Sequence, residues 1–536
     1  MRGLEERSTD FRHSFTFSEV SQLAQDTSTV SANICEWRNS FVRVNRIPVD
    51  VLSLIPTHLS SQRDRFYASF VCRHWRRTFL HNAALWSQLY LLGGEVYVKT
   101  LLERAKGSAL DITVNDMDPA CTMALLPPHA KQIRSLNFAY NYWADIQRFS
   151  GANSGPLPLL TTLRITAINE FSLEALDDVT LPSLPLFSNA ANLKNFFLCL
   201  DGYPSFGHFN FPSLTTFELS VMSEDDFHAS RLLDFLEASP LLRMVDMKII
   251  ADIVLEGVPQ ERVVLLPDVE TFRLVLSNSG PGYKVAAHIS CPSAKHLSLM
   301  HDTYTDEVDS SEIFPSSASW NAIVRQYTRS PVEGVTLETR IGSNLKFSLT
   351  FQSPDATVTR LGFEAAASRG YDGDLSELYC KAFSQASRTI RDHPLLANVK
   401  RLHFNNSLYF FGCAQRRLIA HEVGQLFKSL GPLEEVTFDC CDLRSYLIPF
   451  LDLPEPYDIE QPVAFPAVKE LTILHPVIPR KEPIVRLAKS QYALGVPFER
   501  VTVRMENLPT AMAEGLGPWV GAVDVCEQVL MGHLLD

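Results

Sequence analysis

The sequence predicts an α/β protein in which a compact helical module precedes a long array of short parallel strands alternating with helices. Three observations predict it. Arginines and aromatic residues crowd into one N-terminal stretch of helical periodicity, a proline-led triplet of apolar residues recurs through the remainder, and helical stretches separate the triplets.

The 536 residues are 46% hydrophobic, enough for a substantial core, and the net charge is −13. That charge is uneven. From Phe41 to Leu92 there are seven Arg and no Lys against Asp50 and Asp64, a net of +5, which leaves −18 on the rest. Phosphate backbones bind basic surfaces, so no nucleic-acid partner is expected for the acidic body. No apolar run reaches the roughly 18 to 20 residues of a membrane span, the start "MRGLEERSTDFRHSF" lacks the apolar core of a signal peptide, and the ten cysteines are irregularly spaced. The expected location is cytoplasmic or nuclear, with reduced thiols and no membrane contact.

Taken in chain order, Val20, Leu23, Thr27, Val30, Ile34, Trp37 and Phe41 recur at alternating steps of three and four. Residues 1–44 are expected to hold a helix that packs on the next module or on a partner, or a segment unstable in isolation because of its Ser and Thr content. In "NRIPVDVLSLIPTHLSS" Pro48 suits a first helical turn and Leu52, Ile55 and Leu59 share a face, while Pro56 predicts a kink or break. In "FVCRHWRRTFLHNAALW" a helix over Ala68–Phe79 puts Val71, Cys72, Trp75 and Phe79 on one face, with Arg73 and Arg77 opposite, among Phe66 and Phe70.

Ile47, Pro48, Val51, Leu52, Ile55, Leu59, Phe70, Val71, Cys72, Trp75, Arg76, Leu85 and Trp86 together resemble the F-box, a compact helical module of about 45 residues here placed at 45–92. The resemblance implies docking on the acidic Skp-type adaptor of a cullin-RING ubiquitin ligase. Carried over position by position, it implies that Pro48, Leu52, Ile55, Leu59, Phe66 and Phe70 touch the adaptor and that Val71, Trp75 and Trp86 form the module's core. Ile47 stands where Leu is commoner, and Pro56 interrupts the first helix.

From residue 93 the habit changes. "LPLLTTLRI", "FPSLTTFEL", "SPLLRMVDM", "LPDVETFRL", "CPSAKHLSL" and "FPAVKELTI" each carry apolar residues at i, i+3 and i+5 behind a proline. Pro158, Pro212, Pro240, Pro267 and Pro292 are 54, 28, 27 and 25 residues apart. Looser copies lie near Leu136, Phe196, Val335, Leu361, Leu402, Val436 and Val501, and stretches such as "HASRLLDFLEA" and "RRLIAHEVGQLFKSL" read as helices between them. The pattern resembles a degenerate leucine-rich repeat. It implies a curved solenoid over 93–505, parallel strands on the concave face and helices on the convex face, with 506–536 as a cap carrying a helix in its last stretch. A globular α/β domain with several parallel strands fits the same pattern. Thr162, Arg164, Glu218, Arg273, His296, Ser298, His403 and Glu470 flank the apolar positions and are expected to face a target protein.

Enzymatic chemistry finds no footing in the motifs. Neither phosphate-cradling glycine pattern nor G-x-S-x-G occurs, and His421 and Glu422 are followed by Gln425 where a helical zinc pair needs histidine. Asp439, Cys440, Cys441 and Asp442 lack a second ligand cluster, and the Asn405 sequon is immaterial inside the cell. No catalytic residue, metal or cofactor is therefore expected. The function expected is that of a substrate receptor in a Skp-cullin-F-box ubiquitin ligase, reaching the cullin through the adaptor. The alternatives are a non-ligase interaction scaffold and an enzyme with an unrecognised site.

Overall fold

The computed structural model describes residues 16–59, 61–91, 94–115, 125–142, 157–168, 190–201, 210–222, 226–251, 253–277, 282–303, 332–341, 344–353, 358–366, 398–406, 433–439, 468–474, 481–505 and 514–527, with a few isolated positions between 384 and 430. The chain divides into two compact units, Met1–Thr162 and Leu163–Asp536.

In the first unit, α1 (Phe17–Ser40) starts at a capping box: Glu19 N–H bonds Thr16 Oγ1, and the Glu19 carboxylate accepts from Thr16 N–H at 2.7 Å. Then come α2 (Val49–Leu54), α3 (Gln62–Ala68), α4 (Arg73–His81), β1 (Gln88–Leu91), α5 (Glu95–Ala105), β2 (Leu110–Asn115) and β3 (Ile133–Tyr142). β1 pairs with β2 and β2 with β3, all parallel. β1 thus opens a strand ladder inside the span expected to be wholly helical, because "QLYL" alternates and buries Leu89 and Leu91.

The second unit runs from β4 (Thr162–Ile168), whose first residue closes the other unit, through β5 (Asn195–Asp201), β6 (Thr216–Met222), α6 (Ala229–Glu237), β7 (Met244–Ile250), β8 (Thr271–Ser277), α7 (Gly282–Ala287) and β9 (His296–Thr303). It continues with β10 (Gly334–Ile341), β11 (Asn344–Gln352), β12 (Val358–Ala366), β13 (Arg401–Asn406), β14 (Glu435–Asp439), β15 (Glu470–Leu474), α8 (Lys481–Ala493), β16 (Arg500–Met505) and β17 (Ala522–Glu527). Every triplet expected as a strand is one. Leu160, Leu163 and Ile165, Leu214, Phe217 and Leu219, and Leu242, Val245 and Met247 are fully or almost fully buried, as are Val468, Leu471 and Ile473. The proline-led segment is a turn that closes on the first apolar residue, as in Leu160 N–H to Leu157 C=O (3.2 Å) and Leu214 N–H to Phe211 C=O (3.0 Å).

Thr216, Met244, Thr271 and His296 stand in register on β6, β7, β8 and β9, so the proline spacing is the strand spacing. A backbone device recurs before each strand. Lys194, Thr215, Arg243 and Glu270 C=O each accept two successive N–H groups from the next repeat, at 2.7 to 3.1 Å, and Glu333, Lys400, Glu434 and Lys469 do the same further on. Main-chain carbonyls supply the bonds, and surface ion pairs such as Lys295 to Glu270 (3.3 Å) and Lys400 to Glu434 (3.9 Å) lie over them.

The sheet departs from a simple succession between β9 and β13. β9 pairs in parallel with β12, β12 and β10 both pair antiparallel with β11, and β10 pairs in parallel with β13. The segments near Val335 and Leu361 are therefore not two consecutive repeats. They are the outer strands of a three-stranded meander inserted with its order reversed, which is why the period stretches there. Gly334, on β10, lies between Gln352 and Arg401, where a Cβ would stand 3.2 Å from Gln352 Oε1.

Two further sets of expectations concern helices. α6 is the helix expected in "HASRLLDFLEA", whereas most of "RRLIAHEVGQLFKSL", with Gln425, and Cys440, Cys441 and Asp442 lie outside the described residues. A helix was expected over 517–536, yet Ala522–Glu527 is a strand paired with β16, since "AVDVCE" alternates with period two.

Candidate functional site

Pro48 caps α2 from an extended conformation, and Leu52 points inward, 0% exposed. The helix tightens into a 3-10 turn at Ile55–His58, the break that Pro56 imposes by lacking an N–H. Ser61 Oγ accepts from Arg63 N–H at 3.1 Å to start α3.

The helix expected over Ala68–Phe79 is instead two. Ser69 Oγ–H bonds Phe66 C=O at 2.6 Å, the N–H groups of Ser69, Phe70 and Val71 close back on Phe66, Tyr67 and Ala68, and Cys72 swings to extended backbone to cap α4. This break carries Val71 away from the face shared with Trp75. Val71, expected in the core, is 57% exposed, and Phe70 beside it is 54% exposed. Trp75 and Trp86 are buried; Trp86 Nε1–H donates to Phe79 C=O at 2.9 Å and its ring lies under the Arg104 guanidinium.

Leu52, expected on the docking face, thus lies inside the module. Pro48 is exposed, and Ile55, Leu59 and Phe66 are half-buried. Val49, Val51, Leu54 and Tyr67, which the sequence reading left out of the docking set, are each more than half exposed. On this apolar surface Phe66 and Phe70 meet edge to face at 4.9 Å, and Arg76 stacks over Phe70 at 4.8 Å. Arg63 stacks over Tyr67 and donates Nε–H to its hydroxyl at 3.0 Å, an acceptor that pushes the guanidinium pKa up. A groove of about 530 Å³ lies between Phe66 and α5, lined by Val96, Tyr97, Thr100 and Arg104.

One arginine faces the other way. Arg65 is 5% exposed and donates Nη1–H to Leu85 C=O (3.3 Å) and Gln88 Oε1 (3.2 Å), tying α3 to β1, and burial pushes its pKa down. Gln62 adds a second tie, accepting from Tyr90 N–H at 2.6 Å and donating to Tyr97 Oη at 2.8 Å.

In the second unit the alternation that buries the triplets turns Arg164, Glu218, Arg273, His296 and Ser298 to the open face. Glu218, Asp246, Arg273 and Ser298 form one cross-strand row, and Arg164 lies over the Phe197 ring at 4.1 Å. Arg164, Phe197, Glu218, Asp246 and Lys248 border an open pocket of about 250 Å³. Burial raises the Glu218 pKa, Arg164 counters it, and Asp246 adds to the rise; Arg273 holds Asp246 at 3.2 Å. Phe197, Asp246 and Lys248 were not singled out in advance, though "MVDM" places Asp246 by the rule that found Glu218. His403 on β13 is 3.8 Å from Asp439, and Glu470 on β15 is 3.8 Å from Arg500, both beyond the meander and away from the row. Thr162 is half-buried at the start of β4.

Among the described residues no group of three His, Cys, Asp or Glu side chains is placed to hold a metal ion, and no helix is long and apolar enough to cross a membrane. Buried Cys291 has its thiol pKa pushed up to about 12, the mark of an unreactive core cysteine. No curated protein matches the chain significantly. Residues 44–92, the span from the turn before α2 to the end of β1, match the F-box-like family, so the chain carries an F-box-like domain there.

Proposed function

We propose that this protein is a non-catalytic substrate receptor of a Skp-cullin-F-box ubiquitin ligase. The F-box-like domain docks on the Skp-type adaptor, and through it on a cullin, while the open face of the sheet holds a target protein in the cytoplasm or nucleus. The observation that carries the reading is the family match at 44–92 on a module that leaves Leu54, Phe70 and Val71 in solvent among arginines. Basic charge facing an acidic adaptor speeds and orients encounter more than it tightens binding.

Within this reading Pro48, Ile55, Leu59, Phe66 and Phe70 keep the docking role and are joined by Val49, Leu54 and Val71. The remainder, 93–505, serves as a degenerate leucine-rich-repeat array with 506–536 as its cap. The repeated carbonyl bonds and the 28-, 27- and 25-residue strand steps support that assignment. Arg164, Glu218 and Arg273, with Asp246, form the center of the target face.

The test is copurification of the full chain with adaptor and cullin. Leu54→Asp with Phe70→Asp, both at exposed positions, should abolish capture of both while the thermal midpoint stays within about 2 °C. A wild-type chain that brings down neither protein, or a double variant that brings down both, refutes the docking assignment. Capture of adaptor without cullin makes the chain a scaffold.

A further inference from the structure

Helix α1 holds 24 residues, and none of them is buried. Val20, Leu23, Thr27, Val30, Ile34 and Trp37 continue the three-four stepping to Phe41, the spacing of the seam positions of a two-helix coiled coil over three heptads. Apart from Thr27, all of these side chains are more than half exposed. The capping box at Thr16 and Glu19 and the Thr27 Oγ1 bond to Leu23 C=O (2.7 Å) satisfy the helix from within, so the stripe is not held by tertiary contacts.

The face that α1 turns to its own unit is the polar one. Glu36 accepts from Arg73 at 3.0 Å and pairs with Arg77 at 3.6 Å, on the side opposite the stripe. Packing the stripe on the F-box-like domain would break both pairs. The sequence alone left open a helix resting on this domain, and the ion pairs direct the apolar side elsewhere.

We infer that α1 pairs along this stripe with α1 of a second copy of the chain, the two helices running antiparallel. A heptad seam is self-complementary, so each copy carries the surface the other needs. Antiparallel pairing sets Val20 opposite Trp37, Leu23 opposite Ile34 and Thr27 opposite Val30, a small residue against the largest one. Parallel pairing would stack Trp37 on itself. Charge selects the same direction: Glu19 and Asp26 lie in the N-terminal half, while Arg38, Arg43 and Arg46 lie at or just past the C-terminal end. Antiparallel helices bring these unlike ends together and hold the two basic modules about 36 Å apart, well beyond the screening length of roughly 8 Å at physiological salt. The assembly presents two docking modules facing apart.

Sedimentation equilibrium of the full chain tests it. The wild type should sediment at twice its 60.2 kDa mass at micromolar concentration. Leu23→Gln with Ile34→Gln, which keep good helix formers at sites buried by nothing in the single chain, should weaken association at least about tenfold. Adaptor capture, a separate readout, should be unchanged. In a Cys35→Ser background, a short bis-maleimide should link Leu23→Cys chains to Ile34→Cys chains but not Leu23→Cys chains to each other. A monomeric wild type overturns the inference, as does a dimer indifferent to the two Gln substitutions. So do Leu23→Cys chains that cross-link among themselves, or an α1 stripe protected from hydrogen exchange only when adaptor is added.

Discussion

In the F-box-like domain, Val49, Val51, Leu54, Phe70 and Val71 stand in solvent while Arg65 sits inside; in the sheet unit the strands bury their apolar residues and turn Arg164 and Arg273 outward. The first arrangement has interior space for only a few side chains, so Leu52, Trp75, Phe79, Leu85 and Trp86 form the core and polar ties from Gln62 and Arg65 fasten the rest. The second sets parallel strands side by side in register, and each strand's inward residues pack beside those of its neighbour. An exposed apolar residue therefore carries a different meaning in each. In the sheet it is an isolated surface position, and in the small module it belongs to a set that cannot be accounted for by the module's own stability.

Removing a buried sheet residue gives the largest effect by which this contrast can be broken. Phe217 packs 5.9 Å from Phe196 and 4.7 Å from Phe235, and Phe217→Ala should cost about 3 to 5 kcal/mol, read by denaturant unfolding. Next is Gly521, whose added Cβ would lie 2.9 Å from Glu499 C=O; Gly521→Ala should free β17 and raise hydrogen exchange along β16 at a cost of about 1 to 3 kcal/mol. Trp86→Phe removes the bond to Phe79 C=O and should cost about 1 to 2 kcal/mol.

A pH prediction is smaller still. The Glu218 carboxyl, with its pKa raised mainly by burial, binds a proton more tightly folded than unfolded. Its contribution is favourable below the ordinary carboxylate range and is lost as pH rises through the folded pKa. Glu218→Gln should flatten that slope and shift the midpoint at neutral pH upward by less than about 2 °C, measured by thermal melts across pH. Leu54→Asp with Phe70→Asp should change stability least of all, which is the sharpest form of the contrast.

The triplet positions and the proline turns were legible because burial repeats with a fixed local period, as at Leu163 and Ile165. The break at Ser69–Cys72 was not, since the 68–79 spacing suits one helix and the Ser69 hydroxyl bond that ends it leaves no mark on periodicity. That single break moved Val71 outward. The placement of β12 beside β9 is a long-range pairing that no period encodes, yet a local sign existed: Gly342 and Ser343 separate two alternating runs, the signature of a tight hairpin. The charged row on the sheet was partly legible, as Glu218 and Arg273 follow from alternation and Asp246 needed only the same rule.

The carbonyls that each receive two N–H groups from the following repeat have one consequence beyond holding strands in register. Because the mortar between repeats is main chain, outward side chains are released from structural duty, and substitutions among them leave the stack intact. A surface built this way is free to change its chemistry at almost no cost to what holds it up.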